Sequence, residues 1–346
     1  MCGNEALAEA AIMAGCRFYA GYPITPQNEL PAYMSKQMPE AGGVFIQSES
    51  EISAINMVFG ASVTGTRAMT SSSSPGISLK QEGISYLAAC ELPAVIVNIM
   101  RGGPGLGNIA PSQSDYLQAT KGGGHGDYHQ IVLAPASLQE MVDLTMLSFD
   151  LADKYRTPVM ILGDGILGQM MAPVELVVRR PSSVVRKEKD WVLDGCKGRK
   201  SRFIRSLLLA EGELEKLNLK LQEKYKKIKD KEQRCEVLYG EDSKLMLVAY
   251  GTTSRICRSV VERLRKNNKK IGMLRPISLW PFPEEAMKKL AEKTDSFLVV
   301  EMSCGQMIED VKLAIDCKRP VYFYGRSGGE IPNEDEIMAQ INKIYE

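Results

Sequence analysis

The stretch Gln47-Ser48-Glu49-Ser50-Glu51-Ile52-Ser53-Ala54 sets a carboxylate where a strand gives way to a helix. The β-like run Val44-Phe45-Ile46 precedes it, and a small-residue helix is expected over 52–65. A carboxyl group at such a junction stands at the edge of a core, half out of water. Burial there raises its pKa, and a cofactor nitrogen can hydrogen-bond to it. The same letters read equally as a helix cap: Ser48-x-x-Glu51 is a capping box, with Glu51 reaching back to the Ser48 amide.

Two further stretches carry groups of a complementary kind. In Gly21-Tyr22-Pro23-Ile24-Thr25-Pro26 both prolines fix φ and remove a donor, which gives the backbone a defined shape. Thr25 before Pro26 suits an N-cap with proline at the first helical position, but a cap does not account for Tyr22 and Pro23. A helix N-terminus also favours an anion, so the Thr25 hydroxyl is placed to bond a substrate carboxylate. Arg101 ends the apolar run 94–100 and is followed by Gly102-Gly103-Pro104-Gly105-Leu106-Gly107. An arginine at a strand's carboxyl end, beside backbone that can approach closely, suits bidentate carboxylate recognition; a surface ion pair is the plainer alternative. The glycine spacing is not G-x-G-x-x-G, so a dinucleotide loop is not expected. Gly163-Asp164-Gly165 opens like the magnesium-diphosphate motif of thiamine enzymes, but the Asn-Asn that must follow is replaced by Arg186-Lys187-Glu188-Lys189-Asp190-Trp191; a turn after a strand is expected there. His125, in the glycine-rich loop 121–128, either packs within that loop or touches substrate.

These groups need a scaffold. Over residues 1–178, apolar β-like runs at 18–21, 44–47, 68–71, 95–99, 131–133 and 159–162 alternate with helical periods. Such alternation predicts an α/β fold with a doubly wound parallel sheet covered on both faces. Ligands bind at the carboxyl ends of strands in these sheets, which selects the loops 22–27, 48–51, 71–76 and 101–128. Residues 179–242 turn charged, and 211–235 predicts an exposed amphipathic helix or hairpin between domains, with a partner-docking arm as the alternative. The alternation resumes over 243–346 as a second, smaller α/β domain.

The balance of 43 basic against 42 acidic residues argues against broad electrostatic binding of nucleic acid or anionic membrane. There is no apolar run long enough to span a bilayer and no basic leader segment, so a cytoplasmic protein is expected. The eight cysteines form no C-x-x-C pair, so neither a zinc site nor an iron–sulfur cluster is expected on this chain. His125 and His129 are the only histidines, which leaves little for imidazole-based metal or triad chemistry.

The stretches Gly3-Asn4-Glu5-Ala6, Gly21-Tyr22-Pro23-Ile24-Thr25-Pro26, Glu49-Ser50-Glu51-Ile52, Ser74-Pro75-Gly76 and Arg101-Gly102-Gly103-Pro104 follow one another in this order. Together they resemble the α subunit of the 2-oxoacid:ferredoxin oxidoreductases, over nearly the whole chain and including residues 301–306. Pro111-Ser112-Gln113-Ser114-Asp115-Tyr116 and the loop 121–128 are most similar to the branched-chain (2-ketoisovalerate) type, with the 2-oxoglutarate type next. The family usually has a strand ahead of Gly-Asn-Glu-Ala, where Met1-Cys2 stand here.

The resemblance implies a pyrimidine-type thiamine diphosphate-binding domain at 1–178, a charged helical connector at 179–242 and a transketolase C-terminal-like domain at 243–346. It implies oxidative decarboxylation of a 2-oxoacid with coenzyme A, giving acyl-CoA, carbon dioxide and reduced ferredoxin. Thiamine diphosphate would be shared with a β subunit that binds the diphosphate and magnesium. Iron–sulfur clusters would lie on partner chains, among them a γ and a ferredoxin-like δ subunit, and no metal on this one. Placing Gly60-Ala61 on the family's small-residue helix selects Glu51 over Glu49 as the activating glutamate. Its carboxyl would bond pyrimidine N1′ and favour the imino tautomer, whose exocyclic nitrogen takes the thiazolium proton. Thr25 and Arg101 match positions that hold the 2-oxoacid carboxylate, and Tyr22 and Pro23 are expected beside the cofactor. A non-oxidative thiamine-dependent decarboxylase subunit and a non-catalytic binding protein on the same fold are the alternatives.

Overall fold

The computed structural model describes residues 1–176 and 189–345. The expected boundary at 178/179 and the charged residues Arg179, Arg180, Lys187 and Glu188 lie outside the described residues. In chain order the strands are β1 (Phe18–Gly21), β2 (Val44–Gln47), β3 (Ala68–Ser72), β4 (Ala94–Met100), β5 (Ile131–Leu133), β6 (Pro158–Asp164), β7 (Cys235–Leu238), β8 (Leu245–Val248), β9 (Ile271–Pro276), β10 (Ser278–Trp280), β11 (Ser296–Glu301) and β12 (Val321–Gly325).

They form a seven-stranded sheet ordered β10-β5-β6-β4-β3-β1-β2 and a five-stranded sheet ordered β12-β11-β8-β9-β7. Pairing is parallel except at one edge of each sheet, β10 on β5 and β7 on β9. Every residue of β4 and β6 is buried, as expected when helices cover both faces of a parallel sheet. From β1 the chain moves outward to β2, then returns past β1 to β3. The loops after β1 and β3 therefore diverge at a reversal of strand order, where a crevice opens at the carboxyl ends.

Helix Glu51–Val63 packs against helix Ser74–Ala89 over this crevice. Their approach depends on small residues: a Cβ on Gly83 would meet Ile55 Cγ2 at 2.5 Å. On the opposite flank, helix Gly3–Met13 packs against Glu29–Glu40 and Leu138–Tyr155. A Cβ on Gly3 would meet the Leu167 carbonyl oxygen at 1.9 Å, so that position takes only glycine. Cys2 makes an isolated antiparallel bridge with Met171.

Two short strands fall outside the blocks expected from sequence. Cys235–Leu238, in the stretch read as connector, is an edge strand of the second sheet. Ser278–Trp280, in the stretch read as the second domain, is an edge strand of the first. Helix Glu213–Lys231 lies within the expected amphipathic segment and buries Leu221, Tyr225 and Ile228, while Leu214 and Leu219 remain exposed. Lys220 and Lys224 pair with Glu91, and Tyr225 of the helix meets the stacked rings of His129 and Trp280 edge-on. No described helix is long and apolar enough to cross a membrane.

The two sheets are tied through Gln113. Its Nε2 donates to the Tyr250 carbonyl, and its Oε1 accepts from Thr253 Oγ1 and the Met302 amide. Tyr116 OH donates to Asp310 Oδ2 at 2.6 Å, and Gln306 Nε2 to the Ser114 carbonyl at 2.7 Å. Asp164 of the Gly-Asp-Gly stretch is not in the turn expected from sequence: it ends β6 and caps the helix Gly165–Gln169, its Oδ1 accepting from the Ile166 and Leu167 amides and from Thr252 Oγ1. Burial raises its pKa, and those bonds oppose the rise.

Candidate active site

Glu51 is the first residue of its helix, and Ser50 is the cap, its Oγ accepting from the Ser53 amide at 3.2 Å. The expected capping box on Ser48 does not form: Ser48 Oγ instead donates to the Gly21 and Ser50 carbonyls, at 3.1 and 3.0 Å. The Glu51 carboxyl is thereby released from capping. It is only 6% exposed, and among the described residues no donor bonds it. It lies over the first turn of helix Ser74–Ala89, where a Cβ on Gly76 would stand 2.5 Å from its Oε1 and 2.0 Å from Ser72 Oγ. Its oxygens are not among the fully enclosed unpaired polar atoms, so the carboxyl is open to a donor from the crevice.

Arg101 comes to the same turn from the end of β4. Its amide donates to Ser74 Oγ at 3.1 Å, and its guanidinium donates to the Thr25 carbonyl at 2.9 Å and the Leu106 carbonyl at 3.1 Å. It is 7% exposed, and its Nε has no partner among the described residues. The group clamps two loops and keeps a buried N–H in reserve, so the surface ion pair weighed from sequence does not form. The glycine-rich loop folds back on itself, with Gly102 donating to Ala110 and Asn108 to Gly102. At Gly107 (φ +59°) an added Cβ would meet the Gly102 carbonyl at 1.8 Å, which requires glycine.

Thr25 sits ahead of the helix rather than capping it. The helix begins at Glu29, and the Thr25 hydroxyl accepts from Asn28 Nδ2 at 3.2 Å. Asn4 anchors this loop from below, its Nδ2 donating to the Pro26 carbonyl at 2.9 Å and Glu29 Oε2 at 2.7 Å. That explains an Asn in the Gly-Asn-Glu-Ala stretch. Tyr22 is 39% exposed at the crevice mouth, with Pro23 also exposed beside it. Loop, arginine and carboxylate thus form one chain of contacts: Thr25 to Arg101, Arg101 to Ser74, and Gly76 of the same turn to Glu51.

Several polar groups here were not singled out from the sequence. Tyr19 OH pairs with Ser71 Oγ, and Ser71 Oγ with Gln27 Oε1, each at 2.6 Å. Gln27 Nε2, Ser72 Oγ and Ser73 Oγ are buried and unpaired among the described residues. Asp115 accepts from Ser74 Oγ at 2.5 Å and Asn98 Nδ2 at 2.9 Å, and burial raises its pKa. Lys80, on the helix that carries Gly76, is fully buried. The signal for it was present: Gly76, Lys80 and Gly83 recur at helical spacing within an otherwise small and apolar stretch. His125 is exposed and lies edge-on to Tyr86, whereas His129 is stacked on Trp280 at 4.6 Å and burial lowers its pKa to about 4. No cluster of metal-ligating side chains occurs among the described residues.

A doubly wound sheet with a buried, unpartnered carboxyl at its switch point, followed by a second α/β layer, is the architecture of the transketolase-like thiamine diphosphate enzymes. A split-gene transketolase, solved as an inactive β4 tetramer, shares that fold at TM-score 0.63 and 16% identity, over 99% of this chain and 97% of its own. Residues 9–230 match the family described as pyruvate flavodoxin/ferredoxin oxidoreductase, thiamine diphosphate-binding, and residues 243–337 match pyruvate:ferredoxin oxidoreductase core domain II. The ketoisovalerate oxidoreductase subunit VorB of Methanothermobacter marburgensis is 50% identical over 99% of this chain and 96% of its own length. The 2-oxoglutarate synthase subunit KorA of Archaeoglobus fulgidus is 40% identical over 93% of each. The 2-oxoglutarate:ferredoxin oxidoreductase of Magnetococcus marinus, solved with 2-oxoglutarate, coenzyme A and succinyl-CoA bound, superposes at TM-score 0.89 with 25% identity, covering 100% of this chain and 65% of that one. The chain belongs to the 2-oxoacid:ferredoxin oxidoreductase family and is an oxidoreductase subunit of that family.

Proposed function

We propose that this chain is the α subunit of a cytoplasmic, heteromeric oxidoreductase that decarboxylates a branched-chain 2-oxoacid, 2-ketoisovalerate, with coenzyme A to acyl-CoA and carbon dioxide, passing the electrons to ferredoxin. A β subunit holds the diphosphate and magnesium of thiamine diphosphate, and γ and ferredoxin-like δ subunits complete the complex, with the iron–sulfur clusters on the partners. The observation that carries this reading is the Glu51 carboxyl, buried and without a donor over the Gly76 cradle. A pyrimidine nitrogen fits there because the ring supplies the hydrogen bond that Glu51 lacks, and a glycine leaves room for it.

Bound there, thiamine diphosphate supplies the nucleophilic carbon and the electron sink for decarboxylation. Glu51 holds a proton at pyrimidine N1′. Tyr22 and Pro23 border the cofactor at the crevice mouth. Thr25 Oγ and the unpaired Arg101 N–H groups orient the 2-oxoacid carboxylate, which lowers the entropic part of the barrier. Burial of Glu51 and Arg101 excludes water and strengthens their contacts.

In the complex reconstituted with its partner chains, Glu51→Gln is expected to lower turnover about 10²-fold or more, the scale of one general acid–base group, with circular dichroism unchanged. Near-normal turnover rejects the assignment of Glu51. A higher kcat/KM for 2-oxoglutarate than for 2-ketoisovalerate moves the substrate to the 2-oxoglutarate type, supported here by the similarity to KorA. A colourless complex that decarboxylates without reducing ferredoxin makes the protein a decarboxylase subunit.

A further inference from the structure

Lys80 is the buried charge that this chemistry leaves unused. It lies on helix Ser74–Ala89 one turn beyond Gly76, so the two residues share a face. That face looks across the helix seam at Glu51, whose Oε1 borders Gly76. Lys80 is 0% exposed, and its Nζ donates to Thr70 Oγ1 at 2.8 Å. An ammonium has three N–H donors, and Thr70 is its one hydrogen-bond partner among the described residues. Packing alone favours an apolar side chain at such a position, because an under-bonded buried ammonium is costly. Burial lowers its pKa to about 7, and Glu51 is the charged group that opposes the fall.

We propose that Lys80 is a positioning residue: its ammonium, anchored to Thr70 on the helix face that carries Gly76, favours the arrangement in which the pyrimidine nitrogen bonded to Glu51 holds the proton the two share. The role rests on the reading that Glu51 meets the pyrimidine. No atom is gained or lost: the proton moves from Glu51 Oε to the ring nitrogen, and while Lys80 is protonated its charge on the Gly76 face favours that side of the exchange. The surroundings add few competing charges. β3 contributes Thr70, Ser71 and Ser72, none ionisable; Tyr19 reaches Ser71 from β1. At the helix N-terminus stand Asp115, bonded to Ser74 and Asn98, and Arg101, bonded to the Thr25 and Leu106 carbonyls. Both remain in place in the variants below.

Coupling of two ionisable groups is reciprocal, so it can be read from either side. In the full chain alone, unfolding constants of wild type and Glu51→Gln are compared between about pH 6 and pH 8. Losing the Glu51 charge lowers the Lys80 pKa by about one unit or more, so the ratio of the two constants changes about fivefold or more across that range. A ratio that stays constant overturns the proposal. In the reconstituted complex, Lys80→Met is expected to move the acid limb of kcat/KM up by about one unit or more with KM for the 2-oxoacid unchanged, and to shift the near-ultraviolet circular dichroism of the bound pyrimidine toward its amino form. A merely structural lysine lowers activity at every pH and leaves limb and spectrum where they are, which also overturns it. If Lys80→Met does not assemble, the Glu51→Gln comparison decides by itself. Normal turnover by Glu51→Gln defeats the site reading, whereas an inactive Glu51→Gln with an unmoved Lys80 titration defeats only the role of Lys80.

Discussion

The stability of the chain should depend on pH through Lys80, and the size of the effect follows from its burial. An unfolded lysine titrates near 10.5 and the folded one at about 7. Between those values the unfolded chain binds the extra proton, so stability rises with pH. The contribution is fully present above the unfolded value and is lost as pH falls through about 7. At 1.36 kcal/mol per unit the whole span corresponds to about 5 kcal/mol, of which about 2 kcal/mol appears between pH 7 and pH 9. That is a large fraction of a typical domain's net stability.

Other groups titrate nearby and must be cancelled. Burial raises the Cys16 thiol to about 12 and also raises Cys90 and Cys257, so these oppose Lys80 as pH climbs toward the thiol range. The quantity to measure is therefore the difference in unfolding free energy between wild type and Lys80→Met, from urea titrations followed by the fluorescence of the tryptophans, of which Trp280 is stacked on His129 at the edge of the first sheet. That difference should climb by about 2 kcal/mol from pH 7 to pH 9 and level off below pH 6. A difference that is flat across this range refutes the argument, because Lys80 then carries its charge in the fold at no cost. It would mean that water or a rearranged Glu51 solvates the ammonium.

Three other perturbations probe the rest of the site. Arg101→Ala removes the clamp on Thr25 and Leu106 and the proposed carboxylate contact, so KM should rise or kcat fall about tenfold or more in the assembled enzyme; unchanged kinetics excludes the role. Gly76→Ala puts a methyl 2.0 Å from Ser72 Oγ and 2.5 Å from Glu51 Oε1. Both side chains can rotate away, so the fold should survive while turnover drops about tenfold or more, and full turnover would show that the Glu51 position is not critical. Gln113→Leu leaves the Met302 amide buried without a partner, while the Tyr250 carbonyl keeps Thr253 Oγ1, which should cost about 1 kcal/mol or more in urea unfolding; a smaller loss means that the sheets are held by other contacts.

The long elements were legible because their periods are strong. β4 and β6 are continuous apolar runs, and the small-residue helices beside them have no other plausible face to bury. The short edge strands Cys235–Leu238 and Ser278–Trp280 were not legible, because three or four residues carry no period and their pairing is fixed by a distant partner. The same limit applies at the site. Glu51, Thr25 and Arg101 were readable as residue types at the ends of strands, since the crevice rule needs only topology. What each side chain bonds was not readable. Ser50 rather than Ser48 caps the helix because Ser48 is drawn to the Gly21 carbonyl, a residue on another strand.

That difference in capping decides how the carboxylate can act. A Glu51 engaged in a capping box would have its oxygens committed to backbone amides and its charge compensated locally. With Ser50 taking the cap, the carboxyl keeps its lone pairs beside Gly76, a glycine that holds the space between the helices open, one turn from the buried Lys80. Ser71, Ser72 and Ser73 supply the remaining buried and partly unpaired hydroxyls of the same wall. Helix packing elsewhere compensates for the groups left unsatisfied, and under the proposed reading their needs define what a bound ligand must bring: a hydrogen-bond donor for Glu51, and polar atoms for Gln27 and the serines.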